Sequence, residues 1–272
     1  KALILACNGY GGNLDMVQKH IPEMVDALYF GHAGNQGDAI LWGEALGAAI
    51  SDLGSYQGHG AVTHPHGTLI FWGVLTEGGF QVNQTGNRFS NEVRGYSEQA
   101  VDVINQPDHV AWEIWDHGGH ELGLAFQDYR EGLEVGAIRK AQTIEEISES
   151  SCLPLAAVKM TFESVHSHIR DGREDAFGRS WRGIEPLEPP YYFAKVTGAL
   201  FHTQGGLVVN EYAKVLRKDG TPFPNLFAGG GAARGLSGPS RWGYLSGNGL
   251  LTATVLGRIA GREAAELVHQ SS

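Results

Sequence analysis

The chain has 272 residues, of which 42% are hydrophobic and 18% charged, and its formal net charge is −10. This composition supplies a sizeable core, and the acidic charge argues against a dedicated nucleic-acid binder. No apolar run reaches the roughly 18 residues of a membrane span. The two cysteines exclude a disulfide scaffold and indicate a cytoplasmic protein without a membrane partner.

The N-terminal part alternates short apolar runs with glycine-rich loops. Residues 1–6 (KALILA) are predicted to form a buried strand, residues 7–13 a glycine-rich turn, and residues 14–25 an amphipathic helix that Pro22 interrupts. Residues 34–50 are predicted to run from a loop into a helix. Because a core strand needs neighbouring strands, we expect that such neighbours lie upstream of residue 1.

The middle of the chain, from about residue 59 to about residue 199, has a different texture. Its pattern predicts strands at 68–75 and 79–83 and helices at 97–105 and 143–150. The proline-rich segment 186–190 is predicted to be a boundary linker. Since two glycine-rich ends flank this middle, the sequence predicts an inserted domain; one continuous α+β domain is the alternative.

The C-terminal part carries the densest set of motifs. Residues 205–216 are predicted to form paired short strands, residues 218–224 a turn, and residues 225–228 a buried strand that ends in three glycines. Residues 243–249 then open a helix to about Val268, with Asn248 or Ser246 as its predicted N-cap. Free N–H groups at that helix end favour an anionic ligand.

Several of these segments together resemble a known family. HTQGGL (202–207), DGTPFPNLFAGG (219–230) and SGNGL (246–250) resemble the C-terminal part of fumarate reductase/succinate dehydrogenase flavoproteins, whose superfamily includes the 3-ketosteroid dehydrogenases. The resemblance implies an α/β fold (α+β overall). It implies a partial FAD-binding Rossmann-like domain formed by residues 1–60 and 201–272, with an inserted α+β substrate-capping domain at residues 61–200.

The resemblance also implies FAD as the cofactor. The implied cofactor-binding residues are Ala6, Cys7, Asn8, Gly9, Gly37, Asp38, Gly230, Gly231, Gly247, Asn248, Gly249 and Leu250. The family's Gly-x-Gly-x-x-Gly fingerprint, which holds the FAD pyrophosphate on a helix N-terminus, is absent from the sequence. We therefore expect a C-terminal portion of a longer flavoprotein, with the missing N-terminal segment as its partner and weak FAD binding by this chain alone.

Members of the family transfer a hydride between the flavin and one carbon of a C–C bond beside a carbonyl or carboxylate, while a protein group handles the proton. By resemblance, His202 and Arg241 match the family's substrate clamp. The residues that match the substrate side of the cap are His64, Thr76 and Glu77, to which we add Arg94. The implied partner is a small-molecule organic acid or ketone.

The sequence departs from the fumarate reductases at two positions. Tyr96 occupies the place of their proton-donating arginine, and Phe80 that of a second arginine in the proton pathway. Both departures argue against fumarate as the substrate. Because tyrosine serves as an acid or base beside a ketone in ketosteroid dehydrogenases, Tyr96 and Tyr244 are the predicted proton-transfer residues.

Two other functions stay open at this point. His64, His66, His117, His120 and further histidines could belong to a metal site, although none has the spacing of the zinc helix signature and Gly-Gly between His117 and His120 disfavours a helix. The chain could also be a non-catalytic remnant that cannot hold FAD. Cys7 is predicted to be a small buried side chain rather than a redox thiol.

Overall fold

The computed structural model of the chain describes residues 1–270, which divide into two compact units. The first unit contains Lys1–Val25, Tyr29–Gln57 and the chain from Leu200 onward, and the second contains Asp26–Leu28 and Gly58–Ala199. The described residues contain no helix that is both long and apolar enough to cross a membrane. The architecture is mixed α/β, as the sequence predicts.

The first unit is assembled from both ends of the chain. Its helices and strands are β1 (Leu3–Leu5), α1 (Leu14–His20), α2 (Asp38–Ala45), β3 (Ile50–Ser51), β9 (Gly206–Leu207), β10 (Lys214–Leu216), β11 (Pro222–Ala228) and α9 (Asn248–Gln270). Short 3-10 turns follow α1 at Pro22–Met24 and β11 at Gly230–Ala232. Pro22 lies at the start of the first turn, which explains why α1 ends before it.

A three-stranded sheet in the order β1-β11-β10 joins the two ends of the chain. β1 and β11 are parallel, with Leu3 opposite Leu226 and Leu5 opposite Ala228. The prediction of a buried strand at residues 1–6 is only partly right, since Leu5 is buried but Leu3 is 55% exposed and Ile4 39% exposed. Leu5 alone of the three belongs to the apolar cluster that contains Ala228.

The second unit consists of a sheet and the helices that pack on it. Its elements are α3 (Gly73–Thr76), β5 (Phe80–Val82), α4 (Tyr96–Ile104), β6 (Val110–Trp115), α5 (His117–Gly123), α6 (Gln127–Glu134), β7 (Ile138–Ala141), α7 (Ile144–Ser151) and α8 (Leu155–Asp171), with 3-10 turns at Glu92–Arg94 and Pro107–His109. Three further strands contain residues of both units: β2 (Leu28–Tyr29), β4 (Tyr56–Thr63) and β8 (Tyr191–Thr203).

The sheet has the strand order β2-β8-β6-β5, and β4 and β7 also pair with the 13-residue strand β8. β6 is antiparallel to both of its neighbours. Because side chains alternate along a strand, Trp112 and Ile114 enter one apolar cluster, together with Phe162 of α8, whereas Ala111 and Trp115 enter another. Both faces of this sheet are therefore covered.

Two predicted helices and one predicted strand lie in this unit. The helices predicted at 97–105 and 143–150 are confirmed as α4 and α7. The strand predicted at 68–75 is wrong, because the segment makes one bridge between Val62 and Leu69 and then turns into α3. Residues 117–123 form a helix despite their glycine pair: Asp116 accepts a hydrogen bond from the backbone N–H of Gly119 (3.3 Å) and so caps it.

Candidate functional site

The first unit contains a cavity of about 560 Å³, a size typical of small-molecule sites. Five glycines and several neutral polar side chains line it, together with Phe201, Leu250 and three alanines. The lining residues are Ala6, Asn8, Gly31, His32, Asn35, Phe201, His202, Thr203, Gln204, Gly230, Gly231, Ala233, Gly235, Gly249, Leu250, Thr252 and Ala253. Neither lysine nor arginine occurs among them.

Glycine is required at two points of this wall. A Cβ atom on Gly231 would lie 2.2 Å from Oδ1 of Asn8, and one on Gly249 would lie 2.9 Å from Cε1 of His202. Both distances are far below van der Waals contact. The bare backbone therefore lets the loop after β11 approach the loop after β1, and the start of α9 approach the end of β8, around the cavity.

His202 stands at the end of β8 and contributes its ring to the cavity wall. Burial lowers its pKa, and a hydrogen bond with the backbone of Thr203 offsets part of that effect. The side-chain amide of Gln204 lies 2.7 Å from Nδ1 of the ring. Tyr244 packs edge-on against the same ring, with centroids 6.2 Å apart, and its hydroxyl donates to Oε1 of Gln57 (2.9 Å). His202 and Tyr244, two of the predicted catalytic residues, are thus in contact.

The twelve predicted cofactor-binding residues separate into two groups. Those that line the cavity are Ala6, Asn8, Gly230, Gly231, Gly249 and Leu250. Those outside its lining are Cys7, Gly9, Gly37, Asp38, Gly247 and Asn248. Two of these outer residues are joined to each other, since the N–H of Gly37 donates to the carbonyl of Gly9 (3.0 Å). The prediction of a buried Cys7 is wrong: the side chain is exposed.

Asn248 differs from its predicted role as a helix cap. It is the first residue of α9 and is buried, and its side chain bonds to Gln204, Ser237 and the backbone of Leu236. Arg241, the fourth predicted catalytic residue, is half-buried, lies 4.4 Å from the ring of Trp242 and is not part of the cavity lining. Gln204 belongs to the HTQGG motif but is not among the site residues predicted from the sequence.

In the second unit, Tyr96 begins α4 inside an aromatic group. Its ring stacks on His59 (centroids 5.0 Å) and meets Trp72 edge-on (6.1 Å). Burial lowers the pKa of His59 to about 3, and the N–H of Ala61 donates to its Nδ1 (3.2 Å). His59 is therefore a neutral ring that fixes the orientation of Tyr96.

The remaining predicted substrate-binding residues also belong to the second unit. Thr76 and Glu77 are exposed at the end of α3, where the Thr76 hydroxyl donates to the carbonyl of Gly73 (3.2 Å). Arg94 pairs with Asp102 at 2.5 Å. His64 is exposed, and partial burial, followed by the nearby charges of Lys195 and His66, lowers its pKa.

An ionic cluster holds the interior of the same unit. Arg88 binds Glu92 through two nitrogens (2.7 Å each) and Asp175 through a third (2.5 Å). Arg179 binds the same Glu92 carboxylate at 3.0 Å. Glu92 is fully buried and Arg179 is 1% exposed. These contacts occupy the charged groups of all four residues in tying chain segments together.

Comparison with known proteins gives the family. A sequence model described as "FAD binding domain" matches residues 1–250. The chain belongs to this family. The flavoprotein resemblance is thereby confirmed, and with it FAD as the family's cofactor. In the described part of the chain, no three His, Cys, Asp or Glu side chains are grouped so that they could hold a metal ion.

Relatives come from the groups that the motifs suggest. A curated protein of Shewanella frigidimarina (strain NCIMB 400), named "Probable fumarate reductase Ifc3", is 31% identical over 98% of this chain and 44% of its own length. A solved structure of the open conformation of a flavocytochrome c3 fumarate reductase has a TM-score of 0.77 and 30% identity, over 98% of this chain and 46% of that one.

A third relative is a solved 3-ketosteroid-Δ4-(5α)-dehydrogenase from Rhodococcus jostii RHA1. It was solved in complex with 4-androstene-3,17-dione and has a TM-score of 0.66 and 26% identity, over 97% of this chain and 52% of that one. The chain thus spans about half the length of these relatives.

Proposed function

We propose that this chain is the flavin-ring and substrate side of an FAD-dependent oxidoreductase that transfers a hydride to or from a C–C bond beside a carbonyl or carboxylate. The observation that carries the proposal is the glycine-walled cavity beside His202 in a chain of the FAD binding domain family. The relatives named above include a fumarate reductase and a ketosteroid dehydrogenase. Their substrates both place a carbonyl group next to the reacting bond.

The cavity wall suits a flat, neutral, hydrogen-bonding ring system. Gly230, Gly231 and Gly249 expose peptide edges that a ring can approach closely, and Asn8 and Thr203 offer neutral polar groups. When bound, FAD supplies the hydride donor or acceptor of the reaction. The residues proposed to hold it are the lining members of the predicted set: Ala6, Asn8, Gly230, Gly231, Gly249 and Leu250.

The pyrophosphate of FAD needs a different kind of site. Dinucleotides are gripped by a Gly-x-Gly-x-x-Gly turn at a helix N-terminus, and the sequence contains no such turn. The cavity lining contains no lysine or arginine either. We therefore propose that polypeptide upstream of residue 1 in the parent protein binds the ADP half of FAD.

Polarising the substrate and moving its proton fall to side chains of this chain. Burial lowers the pKa of His202, and its ring offers a hydrogen bond to an oxygen on which negative charge develops. Tyr96 is proposed as the proton-transfer residue, since His59 and Trp72 hold its ring in place. Arg241, Tyr244, His64, Thr76, Glu77 and Arg94 remain predicted substrate contacts.

The proposal is tested by adding FAD to the purified 272-residue chain and recording the visible absorption spectrum. We expect a red-shifted flavin band with weak, saturable binding, because only part of the nucleotide site is present. Gly231→Ala should weaken the binding, since the added Cβ would displace the Asn8 side chain and lie 3.0 Å from the backbone nitrogen of Gly9. Gly261→Ala is the matched control, because its Cβ would meet open space.

Two outcomes of this titration contradict the proposal in different ways. A tight stoichiometric complex of the 272-residue chain would place the whole nucleotide grip within it. A flavin spectrum that stays that of free FAD, both for this chain and for the parent protein, would remove FAD from the function altogether.

A separate variant tests the role of Tyr96 in the full-length enzyme. Replacing a positioned proton-transfer group lowers the rate by about 10²-fold or more, so Tyr96→Phe should reduce kcat by about that factor. The ring contacts with His59 and Trp72 survive in this variant, and the flavin spectrum should therefore not change. An unaltered kcat would exclude Tyr96 as the acid or base.

A further inference from the structure

We propose that Gln204 is a positioning residue, which fixes His202 as the tautomer that carries its proton on Nε2. Gln204 does this as the middle of a hydrogen-bonded chain that begins at a backbone N–H and ends at the His202 ring. The tautomer itself follows from the geometry. Its meaning for catalysis rests on the proposed function, in which His202 donates a hydrogen bond to a carbonyl or carboxylate oxygen.

The chain of hydrogen bonds starts at Leu236, whose backbone N–H donates to Oδ1 of Asn248 (3.1 Å). A backbone N–H can only donate, so this contact fixes which side of the Asn248 amide is the oxygen. The Nδ2 group of Asn248 then faces Ser237 Oγ (2.9 Å) and Gln204 Oε1, and it donates to both.

The second amide transmits this polarity. Because Oε1 of Gln204 accepts from Asn248, its Nε2 group faces Nδ1 of His202 at 2.7 Å. An amide Nε2 is a donor, so Nδ1 must accept and carries no hydrogen. Turning the Gln204 amide over would oppose two NH₂ groups, and turning that of Asn248 would oppose two donors at Leu236. A single arrangement satisfies every member.

The backbone holds Gln204 firmly in this place. Its N–H donates to the carbonyl of Ser55 (2.7 Å), and its carbonyl accepts from the N–H of Gly235 (2.7 Å). Asn248 and Gln204 are 1% and 4% exposed, so water does not compete for the amides. A buried chain in which every polar group is paired keeps a single orientation.

The consequence appears at the cavity. Burial lowers the pKa of His202 below its ordinary value, which favours the neutral ring. In the neutral ring, the hydrogen bonds from Leu236 to Gln204 place the single N–H on Nε2. That nitrogen lies on the ring edge next to Gly249, 3.0 Å from where a Cβ of Gly249 would stand, and both residues line the cavity. In this tautomer the ring edge next to Gly249 carries an N–H donor, which suits an oxygen acceptor there and disfavours a ligand donor.

The test is the protonation pattern of His202 in ¹⁵N-histidine NMR spectra of the 272-residue chain without flavin. Its signals are identified by their loss in His202→Gln. We expect the Nδ1 resonance of an unprotonated nitrogen and the Nε2 resonance of a protonated one. A wild-type spectrum with the proton on Nδ1 would overturn the proposal.

Asn248→Asp separates a directional role from a merely structural one. The carboxylate still accepts from Leu236 but now repels Gln204 Oε1, so the Gln204 amide should turn over and the His202 proton should shift to Nδ1. Gln204→Glu should cause the same shift directly. Asn210→Asp is the matched control: Asn210 Oδ1 only accepts, from the N–H groups of Tyr212 and Lys214, and the His202 signals should not move.

The outcomes of this NMR test do not depend on whether the chain binds flavin. Near-ultraviolet circular dichroism checks the fold of each variant, and if Asn248→Asp unfolds, Gln204→Glu decides. An unchanged tautomer in a folded variant of either kind contradicts the role of Gln204. If His202 carries its proton on Nε2 but the parent protein never binds FAD, this inference holds and the proposed function is wrong.

Discussion

Two buried polar clusters, one in each unit of the molecule, are held together by different chemistry. In the first unit, Asn248, Gln204 and Ser237 are joined by neutral amide and hydroxyl hydrogen bonds next to a cavity. In the second, Glu92 and Arg179 are joined as ions in the interior. An amide has a donor side and an acceptor side, so its orientation determines the orientation of the next group. An ion pair chiefly fixes the distance between two charges. The neutral hydrogen bonds suit a binding site. The ionic cluster suits a purely structural connection between chain segments, and we call it the brace.

Glu113 of the second unit has a different environment from Glu92. It lies in the middle of β6 and is fully buried, and its Oε2 accepts from Nε2 of Gln81 (2.8 Å), while Oε1 has no hydrogen-bond partner. No cation is among the groups that affect it: burial, followed in smaller part by the charge of Glu92, raises its pKa to about 8. A carboxyl with this pKa is mostly protonated at neutral pH.

The largest effect is expected from removing Arg179 from the ionic cluster. In Arg179→Met the side chain volume is roughly kept, but Glu92 loses one of its two cations and the carbonyls of Gly79 and Leu75 lose their donor. Breaking a buried pair in this manner typically costs about 3–5 kcal/mol, so chemical denaturation should show a fall of that size in the free energy of unfolding.

An exposed arginine serves as the control for that experiment. Arg262 pairs with Glu263 on the surface of α9, and Arg262→Met should leave the unfolding midpoint unchanged because solvent screens such pairs. Equal stability of wild type and Arg179→Met would mean that the ionic cluster is not a brace, and that the contrast between the units is only one of composition.

The brace also shows where sequence-based prediction stops. The helices at 97–105 and 143–150 follow from local amphipathic pattern, and the glycine-rich segments correctly indicated a close backbone approach at Gly231 and Gly249. The contacts between Arg179 and Glu92, or between Gln204 and Asn248, join residues 87 and 44 positions apart. No local pattern specifies such pairs.

Two errors have a similar origin. The apolar run at residues 1–6 predicts burial for each member, but burial at Leu3 depends on what covers it in three dimensions. The glycines at 118 and 119 argue against a helix by propensity. Packing outweighs helix propensity at this position. A Cβ on Gly119 would lie only 3.0 Å from Cδ1 of Trp115, so the close approach of the helix backbone to the Trp115 ring favours glycine.

The second prediction concerns pH. Glu113 has a folded pKa of about 8 against an ordinary value of 4.5. Below pH 4.5 it is protonated in both states, and as pH rises from there to 8 only the unfolded chain ionises, so its contribution to stability falls through that window and then levels off. Glu113→Gln should be free of this loss and about 2–4 kcal/mol more stable than wild type at pH 9.

Urea unfolding at pH 5, 7 and 9 checks this expectation. The difference between Glu113→Gln and wild type should grow steadily with pH. Glu134→Gln, at an exposed position of α6, should track wild type at all three values. A difference that stays constant with pH would show that Glu113 does not change its protonation on unfolding.

The smallest expected effect compares two glycines of α9 in the first unit. A Cβ on Gly249 would collide with the His202 ring, whereas one on Gly257 would meet open space. In a helix, replacing glycine by alanine stabilises by about 1 kcal/mol when nothing opposes it, so Gly257→Ala should raise the free energy of unfolding by that amount. Gly249→Ala should gain none of it and should displace the His202 NMR signals.

Denaturation curves and the histidine spectrum of the two variants therefore separate two uses of glycine along one helix. If Gly249→Ala also gained about 1 kcal/mol and left His202 undisturbed, the ring would not lie against the start of α9. The first unit would then lack the close packing around the His202 ring. The hydrogen bonds between Gln204 and Asn248 would be purely structural, like the ionic cluster of the second unit. Opposite results for the two glycines would instead assign the start of α9 to the cavity and its middle to the exposed surface of the helix.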